Sequence, residues 1–271
     1  MPQDPRETSA ARPSGRCRKT FAALLLAAVI LCGCGVVEKI MFPSPHTGRR
    51  CGNLTLRSGD ALLDAEWRAG RPGAPVILYS HGNSETLSFA MPLIAEYARR
   101  GYGIMAYDYA GYGGSTGKAG EKQACMDIDA AYRYLTGTAG VKPDRIVLLG
   151  FSIGCGPSCY AAEKYPVRAV VLCAPFASAF QVVLPFPLPG DHFPNARRLS
   201  RVKTPLLLFH GKKDRIIPFR NGRKVYEMSA GTPKRFVPVE GAGHNNIIDT
   251  LGEAYWQILG EFTGLPASPG R

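Results

Sequence analysis

Five residues in the middle of the chain, Gly150-Phe151-Ser152-Ile153-Gly154, have the types and spacing to present a nucleophile. They follow an apolar run at 145–150 and open a helix-period segment, so this G-x-S-x-G sits where a strand turns into a helix. A sharp turn there holds the serine in a strained backbone shape and lifts it above the sheet, exposed. The two glycines let strand and helix approach each other. A serine hydroxyl is a weak nucleophile and needs a base. Of the five histidines, His244 is best placed, in Glu240-Gly241-Ala242-Gly243-His244-Asn245 after the run 234–239. Its glycine flanks let an imidazole project from a tight loop. His46 lies near the N-terminal tether, His81 shapes its own loop, and His210 falls inside a strand run as a packed histidine. His192, in a proline-rich insert, is the rival base.

A third group must orient the imidazole and stabilise its charged form. Asp214 follows the run 205–210 through His210-Gly211-Lys212-Lys213. The bland reading of this aspartate is a cap for the helix after it. Asp108 is the alternative acid, but it precedes the serine. The developing oxyanion needs two donors: the N–H of Ile153, just after the nucleophile, and the N–H of Asn83, in the loop Ser80-His81-Gly82-Asn83-Ser84. Each such donor is worth roughly 3 to 4 kcal/mol in the transition state.

The elements that must hold these groups read as alternating strands and helices. Runs at 75–80, 103–107, 145–150, 168–173 and 205–210 are Val/Ile/Leu-rich, as strands buried on both faces are. Two earlier runs, 53–57 and 61–68, alternate and predict an opening hairpin. Between the strands, Leu87, Met91, Ile94 and Ala98 share one helix face; Cys125, Ile128, Tyr132 and Leu135 another; Leu251, Tyr255, Ile258 and Phe262 a third. The pattern predicts one α/β domain, a mostly parallel open sheet with helices on both faces. The stretch 174–200 breaks it with five prolines and with Phe176, Phe180, Phe186 and Phe193. An apolar insert of that length is expected to act as a short lid over Ser152, its phenylalanines lining an acyl pocket.

The first forty residues read as an address. Five basic residues (Arg6, Arg12, Arg16, Arg18, Lys19) precede an apolar run, Phe21 to Leu31, then Cys32-Gly33-Cys34. Basic, apolar, then small is the order of a secretory signal. The site is similar to the bacterial lipoprotein box, which implies a cut before Cys34 and a lipid on its sulfur. The reading is a signal peptide 1–33, a tether 34–50, the catalytic domain 51–264 and a tail 265–271. It places the body at the cell membrane or outer membrane, facing the periplasm or exterior.

Composition bounds the alternatives. The chain has 271 residues, 45% apolar and 20% charged, which excludes wholesale disorder and fibrous architectures. There are 33 basic against 21 acidic residues, a net charge of +12. Removing residues 1–33 takes away five basic and two acidic groups and leaves +9. No nucleic-acid signature accompanies this charge; a tethered basic body facing anionic lipid does fit it. Once Cys17 and Cys32 are removed and Cys34 is lipidated, five cysteines remain, an odd number without regular spacing, so no disulfide framework is expected. Cys155, Cys159 and Cys173 read as small buried hydrophobes. No metal-ligand spacing is present, and the chemistry requires neither metal nor organic cofactor.

From about residue 50 to 264 the chain resembles the serine hydrolases of the α/β-hydrolase fold, most of all the small branch that includes eukaryotic protein depalmitoylases. The resemblance rests on Ser80-His81-Gly82-Asn83, Tyr107-Asp108-Tyr109-Ala110-Gly111-Tyr112-Gly113, Gly117 to Glu121, Asp127 to Ala131, Ser152-Ile153-Gly154, Phe193-Pro194-Asn195 and Glu240 to Asn245, in that order. The order Ser152, Asp214, His244 is the order of that fold. The resemblance implies triad roles for those three residues and a loop-shaping role for Asp108. It implies hydrolysis of carboxylic esters or thioesters of a small-molecule or acylated substrate. A peptidase of the same fold and a catalytically silent binding lipoprotein are the competing readings. If Cys34 carries the lipid, Cys34→Ser releases the protein from the membrane fraction or leaves an unprocessed precursor. Mass spectrometry of the N-terminus checks this, and an intact Met1 in the wild type contradicts it.

Overall fold

The computed structural model describes residues 41–184, 186 and 190–265; Cys34 and the proposed cleavage site lie outside them. The opening hairpin pairs β1 (Leu54–Ser58) with β2 (Ala61–Arg68) across a two-residue turn, Ser58 opposite Ala61. The remaining strands are β3 (Val76–Ser80), β4 (Gly103–Tyr107), β5 (Ile146–Phe151), β6 (Ala169–Cys173), β7 (Leu206–Gly211) and β8 (Lys234–Val239). They form one eight-stranded sheet in the order β1-β2-β4-β3-β5-β6-β7-β8. The pairs β1/β2 and β2/β4 are antiparallel and all others parallel. Every residue of β3, β4, β6 and β7 is buried, which is why those runs carry apolar residues at consecutive positions. The edge strand β8 is half exposed and tolerates Pro238.

Helices α1 (Leu87–Arg99), α6 (Ile247–Leu251) and α7 (Glu253–Thr263) cover one face. There Leu87, Ile94, Tyr97, Tyr255 and Leu259 join Ile77, Leu149, Val171 and Phe209 in a single core cluster. Residues α2 (Glu121–Arg133), α3 (Cys155–Lys164), α4 (Asn195–Leu199) and α5 (Arg220–Met228) pack in series elsewhere on the fold, α2 on α3, α3 on α4 and α4 on α5. Strand order reverses at β3: β4 lies to one side and β5 returns to the other. Carboxyl ends of strands at such a switch point form a crevice, and the loops after β3 and β5 both emerge there.

Three expectations need correction. The buried face of α1 is Leu87, Ala90, Ile94 and Tyr97, with Met91 only part-buried, because the Tyr97 hydroxyl bonds that of Tyr255 at 2.6 Å and sets the helix rotation. Leu251 and Tyr255 do not share one helix, since Gly252 (φ +54°) separates α6 from α7. Residues expected in the tether, before position 51, already pack on the domain. Phe42 is buried against the rings of Tyr109 and Phe193, and Thr47 N–H donates to Gly113 O at 2.9 Å.

The described parts of the insert, 174–184 and 190–200, are also more tightly built than a lid. Phe193 is fully buried, packed on Phe42, Phe176 and the backbone of α3 at Gly156. Phe176 is buried too, Phe180 is half-buried edge-on to His192, and Phe186 is 54% exposed. Glu121, at the start of α2, clasps the insert: its carboxylate accepts from Phe193 N–H at 2.8 Å and meets His192 Nδ1 at 2.7 Å. Phe193→Ala should therefore cost about 3 to 5 kcal/mol of stability, while Phe186→Ala should stay within about 0.5 kcal/mol of wild type. Denaturant titration of both variants checks the contrast.

Candidate active site

The geometry of the site begins with backbone. Ser152 has φ +54°, a left-handed conformation that an L-residue occupies at a cost of about 1 to 3 kcal/mol. It stands between β5 and a short helical turn, Ser152–Gly154, that leads into α3. A Cβ on Gly150 would lie 2.6 Å from Gly154 O, and one on Gly154 would lie 2.0 Å from Ser80 O. Only glycine at both positions lets β5, α3 and the end of β3 meet. Ser152 is nevertheless only 8% exposed, not the open hydroxyl expected of the turn, because the histidine loop closes over it.

Two further loops deliver the partners. Parallel pairing of β7 with β8 continues past the strand ends: Lys212 N–H donates to Val239 O at 3.0 Å and Lys213 N–H to Ala242 O at 2.8 Å. Gly211 allows this, since a Cβ there would lie 2.3 Å from Gly243 O. Asp214 and His244 thereby face each other. His244 Nδ1 lies 2.7 Å from Asp214 Oδ2, and His244 Nε2 lies 2.9 Å from Ser152 Oγ. A carboxylate accepts, so Nδ1 carries the proton and Nε2 is left to accept from the serine. The other carboxylate oxygen, Asp214 Oδ1, accepts from Ile216 N–H at 2.9 Å and Ile217 N–H at 2.8 Å. Asp214 does not cap the following helix, α5, as its bland reading had it: Oδ1 holds the turn before that helix while Oδ2 meets His244.

His210 is a participant that the sequence reading assigned only to packing. It is fully buried; its Nε2 lies 2.9 Å from Ile217 O and 3.4 Å from Asp214 Oδ2. Its spacing of four residues before the acid, at the end of a strand, is the signal that carries this contact. Burial pushes the Asp214 carboxyl up. Hydrogen bonds from His210, His244 and the Ile217 N–H, with the charge of His244, outweigh that and hold it well below the ordinary carboxylate range.

The remaining expected residues fall as follows. Register pairs Ser80 with Gly150, so the loop carrying Asn83 emerges beside the turn carrying Ile153. Tyr112 OH donates to Asn83 Oδ1 at 3.3 Å, and Gly82 N–H is committed to Glu85 Oε2 at 2.8 Å. The loop carrying Asn83 and the turn carrying Ile153 lie side by side at the ends of β3 and β5. Asp108 does not meet His244; its Oδ1 accepts from Leu87 N–H at 2.6 Å and pins the start of α1 behind the loop. His192 is held by Glu121 and does not reach Ser152. None of the four insert phenylalanines lines the cavity beside His244. That cavity, of about 270 Å³, is walled instead by residues of α1, α6, α7 and the strand ends, among them Phe89, Leu93, Leu149, Phe151, Ile248 and Tyr255.

Comparison with known proteins speaks to family and fold. A family model described as serine aminopeptidase, S33, matches residues 72–188. Alpha/beta hydrolase domain-containing protein 17C of Xenopus tropicalis is 39% identical over 222 residues, covering 75% of this chain and 69% of the relative. The human 17C protein is 40% identical over 189 residues, covering 68% and 55%. The chain spans about 63% of the length of the 17B protein of Xenopus laevis, at 37% identity. Among solved structures, an esterase of Pyrococcus furiosus aligns with a TM-score of 0.65 at 20% identity, over 78% of this chain and 90% of that one. A monoacylglycerol lipase of Paleococcus ferrophilus aligns at 0.58 and 21%, over 74% and 98%. These structural likenesses establish the fold.

The lowered Asp214 pKa carries a sign that can be checked. A carboxyl whose folded pKa is depressed adds stability above its unfolded pKa, near 4, and loses it as pH falls toward the folded value. Wild type should therefore be more stable than Asp214→Asn at pH 7, and the gap in Tm should shrink below about pH 4. Thermal melts at pH 7, 4 and 3 test this; a constant gap contradicts it.

Proposed function

The chain belongs to the alpha/beta hydrolase family, and on that premise we propose that it is a serine hydrolase of esterase or thioesterase type that works through an acyl-enzyme. The observation that carries the proposal is the unbroken hydrogen-bonded line from Ser152 Oγ through His244 to Asp214. His244 Nε2 takes the serine proton as Oγ attacks the acyl carbonyl carbon. The carbonyl oxygen, now negative, is received by the N–H groups of Ile153 and Asn83. Collapse breaks the bond to the alcohol or thiol, which leaves with the proton from His244, and the acyl group stays on Ser152. Water then gives a proton to His244 and attacks the same carbon. Collapse of that second intermediate returns the proton to Ser152 and frees the acid. Asp214 keeps the imidazole in the required tautomer and offsets its transient charge.

The resemblance to the depalmitoylase branch supports an acylated substrate. The order of basic residues, apolar run and Cys34 supports a lipid-anchored body at a membrane, facing an extracytoplasmic space. A peptidase is the second reading, favoured by the description of the matching family model. A panel of esters and thioesters against aminoacyl amides separates the two. The triad itself is tested by substitution. Ser152→Ala should abolish ester hydrolysis with the fold retained, and Asp214→Asn should lower kcat by about 10⁴ through the wrong tautomer. Ester turnover by Ser152→Ala at the parent rate would remove the nucleophile assignment.

A further inference from the structure

The cavity beside His244 has a mouth and a floor of different character. Phe89, 71% exposed, and the exposed Asn245 and Asp249 stand at its mouth. The floor is fully buried: Tyr97 and Tyr255 close it with their hydroxyls bonded to each other at 2.6 Å. That pair is anchored in the core cluster and does not swing aside as a surface side chain would. The walls between are mostly apolar, with Leu93, Leu149, Phe151 and Ile248; the one carboxylate among them, Glu85, is bonded to Tyr79 OH and Gly82 N–H. One wall residue, Phe151, directly precedes Ser152, and its ring lies tilted against that of His244, centroids 5.2 Å apart. The cavity therefore offers a substrate limb a largely apolar place with a buried end, next to His244.

The volume sets its length. A dry cavity of about 150 Å³ holds benzene, six carbons, so 270 Å³ holds roughly ten. We propose that this cavity measures an aliphatic limb of the ester, accepting chains up to about ten carbons and stopping longer ones at the Tyr97–Tyr255 floor. The inference rests on the hydrolase reading above and sharpens it, because it moves chain-length selection from the insert 174–200 to the opposite wall formed by α1 and α6. The limb is the acyl chain or the alcohol, which share this chemistry, and two substrate series tell them apart.

The full-length wild-type protein is assayed on p-nitrophenyl esters from acetate to myristate, and on alkyl acetates from methyl to tetradecyl. In one series kcat/KM should rise about twofold to fourfold per methylene up to C8–C10 and then gain nothing. Leu93→Trp, which fills the cavity from α1, should lower the ratio of the C8 to the C2 substrate at least tenfold in that same series. Ile248→Trp fills it from α6 and serves where the first variant does not fold. Labelling of Ser152 by a small fluorophosphonate reports an intact site in each protein. Labelling together with a flat profile in both series, a continued rise to C14, or an unchanged C8:C2 ratio in both tryptophan variants overturns the inference and leaves the hydrolase reading standing. A wild type that neither labels nor turns over any ester overturns both.

Discussion

The site depends on one strained backbone angle. Ser152 is held at φ +54° because β5 and α3 are pressed together through Gly150 and Gly154, with the end of β3 against the second glycine. The strain of about 1 to 3 kcal/mol is retained because β5 lies between β3 and β6, in the fully buried middle of the sheet. The close approach of Gly154 to Ser80 O brings the loop 81–86 against the turn, so the same packing that strains the serine also sets Asn83's loop beside Ile153. Asp108 then fixes the far end of that loop by accepting from Leu87 N–H. The base and acid arrive from β8 and β7, and Gly211 is the third close approach on which the alignment rests.

Much of this was legible because the signals are local. Each strand of the parallel core is a continuous apolar run, and Ser152, Asp214 and His244 each follow such a run beside a glycine. The contacts that were not legible are tertiary. Nothing around His210 says that it reaches Asp214 Oδ2, apart from a spacing that many packed histidines share. The Glu121–His192 clasp joins residues 71 positions apart. Residue type alone does not separate a phenylalanine that overhangs a site from one that fills a core: Phe186 and Phe193 look alike in sequence, yet one is exposed and the other is sealed between Phe42, Phe176 and α3. The packing of Phe42 was hidden for the same reason, since the rings it meets, of Tyr109 and Phe193, come from distant segments.

These corrections change how the two sides of the crevice divide the work. The described ends of the insert are strapped down by Glu121, by Ala179 N–H to His192 O and by Asn195 Nδ2 to Phe176 O, and so brace the fold. The apolar volume next to the base lies on the α1 and α6 side, where α1 is located by the same Asp108 bond that steadies the oxyanion loop. The proposed oxyanion loop and the proposed substrate wall are thus tied to one helix. A shift of α1 would disturb both, which couples selectivity to rate through packing and needs no moving part.

The central claim is that Ser152 carries the acyl group, and the most direct measurement is acid-quenched mass spectrometry of the protein mixed with p-nitrophenyl octanoate in the first turnover. The account predicts a burst of nitrophenol equal to the protein concentration, with one octanoyl group on the peptide that contains Ser152. Turnover with that peptide unmodified, or with the acyl group on the exposed Cys51 instead, would contradict it.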